Sequence, residues 1–253
     1  MNKQEALFQY ALRIGDSSLI LGHRLSEWCG HGPILEQDIA LINVSLDIIG
    51  QARTLLQYAG EVEGKGRSED DLAYLRIASE YCHPVIMELP NGHFGNTIAR
   101  QFFVDTFQFY FYKELQNSSD KLLADFAVKS LKEVAYHLKY SSDWMLRLGD
   151  GTEESHQKIQ QAVNDVWMYT GELFMMDEVD SILIAEGIGV DLDKVKVLWQ
   201  EKVTSILTEA TLDLPDFDAW MMSGGKQGRH SEHLGFLLTE LQYMQRAYPN
   251  MEW

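Results

Sequence analysis

Apolar positions recur along most of this chain at intervals of three and four, the repeat of a helix that buries one face. The pattern predicts helices over 4–29, 34–61, 69–81, 94–117, 120–148, 153–174, 177–187, 191–211 and 229–247. Turn chemistry separates them: Gly30-His31-Gly32-Pro33, Gly64-Lys65-Gly66, Pro90-Asn91-Gly92, Gly149-Asp150-Gly151 and Ser223-Gly224-Gly225. Pro33 is expected at the very start of the second helix, where a missing N–H does no harm. Thr152, followed by Glu153 and Glu154, gives a later helix a cap and an acidic first turn that suits its dipole. No apolar and polar alternation is long enough to require a sheet.

Two stretches are apolar on nearly every side. One runs through Ile34, Leu35, Ile39, Leu41, Ile42, Val44, Leu46, Ile48 and Ile49, the other through Ile98, Phe102, Phe103, Val104, Phe107, Phe109 and Phe111. A helix of that kind is expected to be surrounded by protein. Four helices of about 25 residues, with others outside them, predict an all-α, ferritin-like four-helix bundle core with flanking helices, in a single domain over 1–253. The crowd of aromatics at 102–112 exceeds the need of one face, so some rings either meet outer helices or face a partner subunit.

Polar residues inside such helices need a reason. They fall at helical spacing: Asp16, His23 and Glu27; Asn43, Asp47, Gln51 and Thr54; Gln101, Asp105, Gln108 and Tyr112; Ser130, Glu133, His137 and Tyr140. Asp16 with Asp47, and Asp105 with Glu133, are spaced as two antiparallel hairpins would need to bring one carboxylate per helix level. That is the layout of ferritin-like di-metal proteins, in which two helices give Glu and two give Glu-x-x-His. Here the third residue after Asp47 is Gly50 and after Glu133 is Tyr136, while His137 stands one place too late, rotated by about 100° on an ideal helix. The expectation is a vestigial pseudo-site of Asp16, Asp47, Asp105, Glu133 and His137 that binds no metal, its groups satisfying one another as a buried network.

Composition narrows the picture. A net charge of −17, with 21 Lys and Arg, argues against nucleic acid and leaves a basic partner open. Two cysteines far apart, with no Cys-x-x-Cys, argue against a disulfide framework or a thiolate zinc site. No signal peptide and no apolar run long enough to span a bilayer is recognised, so the cytoplasm is the expected location and no membrane partner is expected.

"EWCGHGPILEQDIALINVSLDIIGQAR" (27–53), "PNGHFGNTIARQFFVDTF" (90–107), "KEVAYHLKYSSDWMLRLGDGT" (132–152) and "GGKQGRHSEHLGFLLTELQYMQR" (224–246) resemble the C-subunit family of the bacterial phenylacetyl-CoA epoxidases, over nearly the whole chain. The resemblance implies a ferritin-like structural subunit without catalytic residues or a cofactor of its own. It would pair with a paralogous A subunit that carries the di-iron centre and epoxidises phenylacetyl-CoA. A small B subunit and a reductase with flavin and an iron–sulfur cluster complete that assembly. The chain would then be part of a hetero-oligomer, or a homodimer when isolated. Two alternatives stay open: a ferritin-like di-metal oxidase active in its own right, and a helical module that binds a CoA ester.

Two further clusters are candidates for ligand or partner contact. Glu80, Tyr81, Cys82 and His83 gather at a bend before Pro84. Lys226, Arg229 and His230 lie among glycines before a helix, where CoA phosphates or an acidic partner would be welcome, although a solvated loop is the simpler reading. His230 and His233 are nominal metal ligands without a third in sequence.

Overall fold

The computed structural model describes residues 1–249 and 251, and among these it contains helices and no strand. The α-helices are α1 (Lys3–Ser26), α2 (Leu35–Glu63), α3 (Glu69–Tyr74), α4 (Phe94–Leu115), α5 (Lys121–Gly149), α6 (Glu153–Trp167), α7 (Glu178–Ala185), α8 (Leu192–Glu209), α9 (Glu232–Leu241) and α10 (Tyr243–Ala247). They form two compact units, Met1–Pro90 with the segment from Ser223 onward, and Asn91–Met222. Each unit is built on one long helical hairpin, so the two supply the four long helices of a ferritin-like fold.

In the first unit α1 and α2 pack closely because α1 turns glycines toward its partner. A Cβ on Gly22 would come within 2.7 Å of Ile49 Cγ1, and one on Gly15 within 3.0 Å of Leu56 Cδ2. Ser45 Oγ donates to the Gly22 carbonyl at 2.7 Å and fixes the register. Asn2 and Glu5 form a reciprocal cap at the start of α1, and α2 stops at Gly64 in the left-handed region. The helix expected over 69–81 ends at Tyr74, after which short 3-10 turns cover Ala78–Glu80 and Val85–Glu88. Arg76 diverts the chain there: it donates to the carbonyls of Leu72 and Glu80 while reaching Asp16. The helix expected over 229–247 is two helices. They meet at buried Gln242, whose Nε2 donates to the Arg76 carbonyl and to Tyr81 Oη, both at 2.9 Å.

In the second unit α4 and α5 form the hairpin. Tyr112 packs edge-on against Phe126 and Phe94 against Trp144, which brings Asp105 and Glu133 to one height. Part of the aromatic surplus of α4 is used within this unit: Phe103 lies against Trp167 of α6 and Trp199 of α8, and Phe107 lies against Phe111 of α4 itself and Phe174 of a following 3-10 turn. Trp199 also donates its Nε1–H to the Phe103 carbonyl at 2.8 Å. The helix expected over 153–174 stops at Trp167; Thr170 Oγ1 donates to the Trp167 carbonyl and the chain then enters a 3-10 turn at Gly171–Phe174.

The expectation that α2 is covered all round fails. Leu35, Ile39 and Leu46 are 71%, 53% and 62% exposed, a stripe along one face, and Ile34, just before the helix, is 54% exposed. With a peak mean hydropathy of 1.3, α2 is also long and apolar enough to cross a membrane by length and composition alone, so the expectation that no such run exists does not hold. Its opposite face is packed along α1, through Leu41, Val44, Ile48, Ala52, Leu55 and Leu56.

Candidate functional site

The five pseudo-site residues do not come together as their spacing suggests. In the first unit Gly22 faces Ile48 and Ile49 while Gly15 faces Leu55 and Leu56. Asp47 therefore lies level with the end of α1 near Gly22, and Asp16 near Leu55, about 12 Å apart along α2 by helix rise. The hairpin register, set by close glycine contacts, overrides the count of residues through the turn.

Asp16 is fully buried and already committed. Its two oxygens take the Arg76 guanidinium, one bond at 3.0 Å and one shorter, and Oδ2 also accepts the Cys82 N–H at 3.0 Å. Arg76 is itself buried and stacks 4.2 Å over the Tyr81 ring. Three of its roughly four lone-pair sites are thus taken, and a guanidinium stands where an iron would have to come.

In the second unit Asp105, Glu133 and His137 do share the α4–α5 hairpin. Asp105 and His137 are buried, whereas Glu133 is only half-buried. Burial pushes the Asp105 carboxyl up to about 8, against a weaker pull from a bond with Ser141 and from Arg100, so it is a neutral acid at pH 7. Gln101 Nε2 approaches it at 3.4 Å, and the buried Gln101 Oε1 and Gln108 Oε1 have no hydrogen-bond partner among the described residues. Amides and a protonated acid make a poor donor set for di-iron, which wants several ionised carboxylates.

The positions where di-metal folds of this kind place their histidines show the mismatch by direction as well as identity. Gly50 is exposed with open space where a Cβ would stand, and Tyr136 is 53% exposed. Even histidines at these two places would point outward. The residues present therefore do not fit a di-iron centre.

The two candidate contact clusters do meet, but inward. Tyr81 and His83 are buried, and His230 turns away from its loop toward them. Tyr81 Oη donates to the Ala73 carbonyl, and burial pushes this phenol up to about 12. His83 Nε2 and His230 Nδ1 each stand 2.8 Å from Glu88 Oε2, with the imidazole rings stacked at 4.4 Å. Glu88 Oε1 accepts the Ser231 N–H at 2.6 Å, and His230 Nε2 meets the Tyr81 carbonyl at 2.9 Å. Both ring nitrogens of His230 face acceptors; burial would lower its pKa, but the bonds with Glu88 and the Tyr81 carbonyl outweigh it and raise it. Burial keeps His83 neutral. Glu88 is held well below the usual carboxylate range, since the bonds from His230 and His83 outweigh the burial that would raise it.

Tyr81, His83 and His230 are thus spent on internal bonds and do not offer a surface for CoA or a partner. The N-terminus of α9, the expected anion site, already receives the Glu88 carboxylate through Ser231. Glu80 uses a side-chain oxygen on the Ile77 N–H at 2.7 Å, and Cys82 is half-buried. Cys29 and Cys82 are not joined in a disulfide. Arg229 is exposed and Lys226 half-buried. Sequence reasoning missed Glu88, Arg76 and Gln242 altogether. The one available signal was three charged residues, Arg76, Glu80 and Glu88, in a segment otherwise rich in buried apolar side chains.

Taken with the two hairpins, these observations define an all-α, ferritin-like chain without an assembled di-metal site among the described residues. The chain belongs to the phenylacetic acid catabolic protein family, whose model matches residues 1–253. It is 47% identical over 247 residues, 98% of this chain and 99% of the relative, to a protein of Escherichia coli (strain K12) named as the C subunit of 1,2-phenylacetyl-CoA epoxidase.

Proposed function

We propose that this chain is a non-catalytic structural subunit of a cytoplasmic, multicomponent monooxygenase that epoxidises phenylacetyl-CoA. The observation that carries the proposal is the state of its own inner carboxylates: Asp16 is clamped by Arg76, and Asp105 is held neutral by burial. Oxygen activation then belongs to a di-iron centre in a paralogous A subunit, supplied with electrons by a flavin and iron–sulfur reductase and joined by a small B subunit. The relative's name as one subunit of an epoxidase supports the same reading.

A structural subunit needs a surface to share, and the bare stripe of α2 suits that role. Leu35, Ile39 and Leu46 repeat near helical spacing and present an apolar ridge that water covers in the isolated chain. The experiment is reconstitution of phenylacetyl-CoA turnover from purified subunits. Leu46→Asp is expected to lower turnover by loss of co-elution with the A subunit, while His137→Gln in a complex that still assembles retains turnover. An assembled His137→Gln complex with no turnover would overturn the proposal.

A further inference from the structure

The His83–Glu88–His230 cluster does more than satisfy itself. One atom from each residue, an imidazole nitrogen, a carboxylate oxygen and a second imidazole nitrogen, lies within 4.8 Å of the others. All three side chains are sealed from solvent, at 0%, 0% and 4% exposure. We propose that they form a binding site for one divalent metal ion of the zinc type, held by His83 Nε2, Glu88 Oε2 and His230 Nδ1, that fastens the segment around His230 to the segment 81–88 within the first unit.

The ligand chemistry fits. Two imidazoles and one carboxylate are a common zinc set. Ligands bonded at about 2.0–2.1 Å around a tetrahedral ion stand roughly 3.3 Å apart. The carboxylate oxygen is now 2.8 Å from each nitrogen, so an ion entering between them widens those two gaps by about half an ångström. A modest rotation of the two stacked rings turns both nitrogens toward one point.

Two of the three ligands have the outer contacts that a metal site uses, while His83 Nδ1 is buried with no hydrogen-bond partner among the described residues. His230 Nε2 is fixed by the Tyr81 carbonyl, the bond that ordinarily selects the tautomer and aims the other nitrogen at an ion. Glu88 Oε1 is fixed by the Ser231 N–H, which leaves Oε2 to act alone. Arg24 Nε donates to the Glu88 backbone carbonyl at 2.9 Å. The contacts of Oε2 among the described residues are the two imidazoles. Both outer bonds persist when the protons between ligands are exchanged for an ion. Because His230 is brought in by its loop, the site is complete only once that segment has docked, which couples metal loading to folding of the first unit. None of this bears on oxygen chemistry.

The test uses the full, tag-free chain, stripped with a chelator and titrated with Co2+ and then Zn2+. One equivalent of Co2+ is expected to give the intense visible bands of a four-coordinate, nitrogen-ligated ion, displaced by one equivalent of Zn2+, and to raise the melting temperature. His83→Gln should weaken zinc by more than the 10- to 100-fold that an outer-contact change typically costs. His233→Gln should leave binding unchanged, since His233 lies outside the cluster. If His83→Gln fails to fold, the absorption spectrum and X-ray absorption edge of the wild-type cobalt complex still decide, through the number of imidazole ligands. A weak, six-coordinate, oxygen-ligated spectrum overturns the proposal, and so does stoichiometric binding that His83→Gln leaves intact.

Discussion

The two units solve one problem in opposite ways. Asp16 in the first and Asp105 in the second are both buried carboxyls on an inner helix of a hairpin. Asp16 is paired with Arg76, which comes from a segment sixty residues on and brings a guanidinium and a matched pair of bonds. Asp105 has no such clamp; Gln101 and Ser141 offer neutral dipoles and Arg100 a pull too weak to offset burial, and the group gives up its charge instead. A buried acid is tolerated either paired or protonated, and the choice depends on which long-range neighbour the fold delivers.

The largest break in this comparison comes from removing Arg76. Arg76→Ala strands Asp16 without water or counter-charge and should destabilise by about 3–5 kcal/mol. Denaturant unfolding of the purified variant measures it, and Asp16→Asn in the same background should recover part of the loss. An unchanged midpoint for Arg76→Ala would show that Asp16 is not held by charge.

Next comes the pH response of Asp105. Its folded pKa of about 8 lies above the ordinary 3.8, so the folded state holds a proton that the unfolded chain has released. Stability from this group is greatest below 3.8, falls as pH rises through the window to about 8, and is level above it. The slope for one group is at most about 1.4 kcal/mol per pH unit. Asp105→Asn, which imitates the neutral acid, should flatten this part of the stability–pH curve and stabilise the protein near pH 8. Parallel curves for wild type and variant would contradict the assignment.

A smaller effect of opposite sign belongs to His23, which burial holds neutral with a pKa lowered to about 4. Its contribution is fully present above 6.5 and is lost as pH falls through about 4, because the unfolded chain takes the proton first. His23→Gln should therefore soften acid unfolding between those values, as followed by circular dichroism. The smallest effect is expected at the surface: Lys158 and Glu154 pair on the exposed face of α6, and Lys158→Ala should leave the melting temperature within error.

Much of the fold was legible in the sequence, for reasons visible in particular residues. The starts of α4, α5 and α6 carry their caps at His93, Asp120 and Thr152, and the glycine turns separate the helices where expected. Two boundaries failed where a distant side chain intervened. Arg76 ends α3 early by bonding back to Leu72 and across to Asp16, and Gln242 splits the last helix by reaching Arg76 and Tyr81. The missing histidines after Asp47 and Glu133 were plain from spacing. That Asp47 lies far from the level of Asp16 was not, because Gly15 and Gly22 set the hairpin's register by close contact rather than by turn length.

What the chain determined by itself was local: which stretches are helical, where they stop at glycine, and which residue types stand at helical intervals. Those properties depend on neighbours three and four residues away, which any reader of the sequence can count. The tertiary structure decided which atoms meet. Asp16 with Arg76 lies across a gap of 60 residues and Glu88 with His230 across 142, and no local pattern specifies either pairing. It also decided that the apolar helix α2 is covered on one face only, and that two histidines first seen as loop and bend residues stand over one buried carboxylate. Hydrogen bonds and ligand sites act over about 3 Å, so their existence rests on a register and a set of loop paths that packing alone fixes.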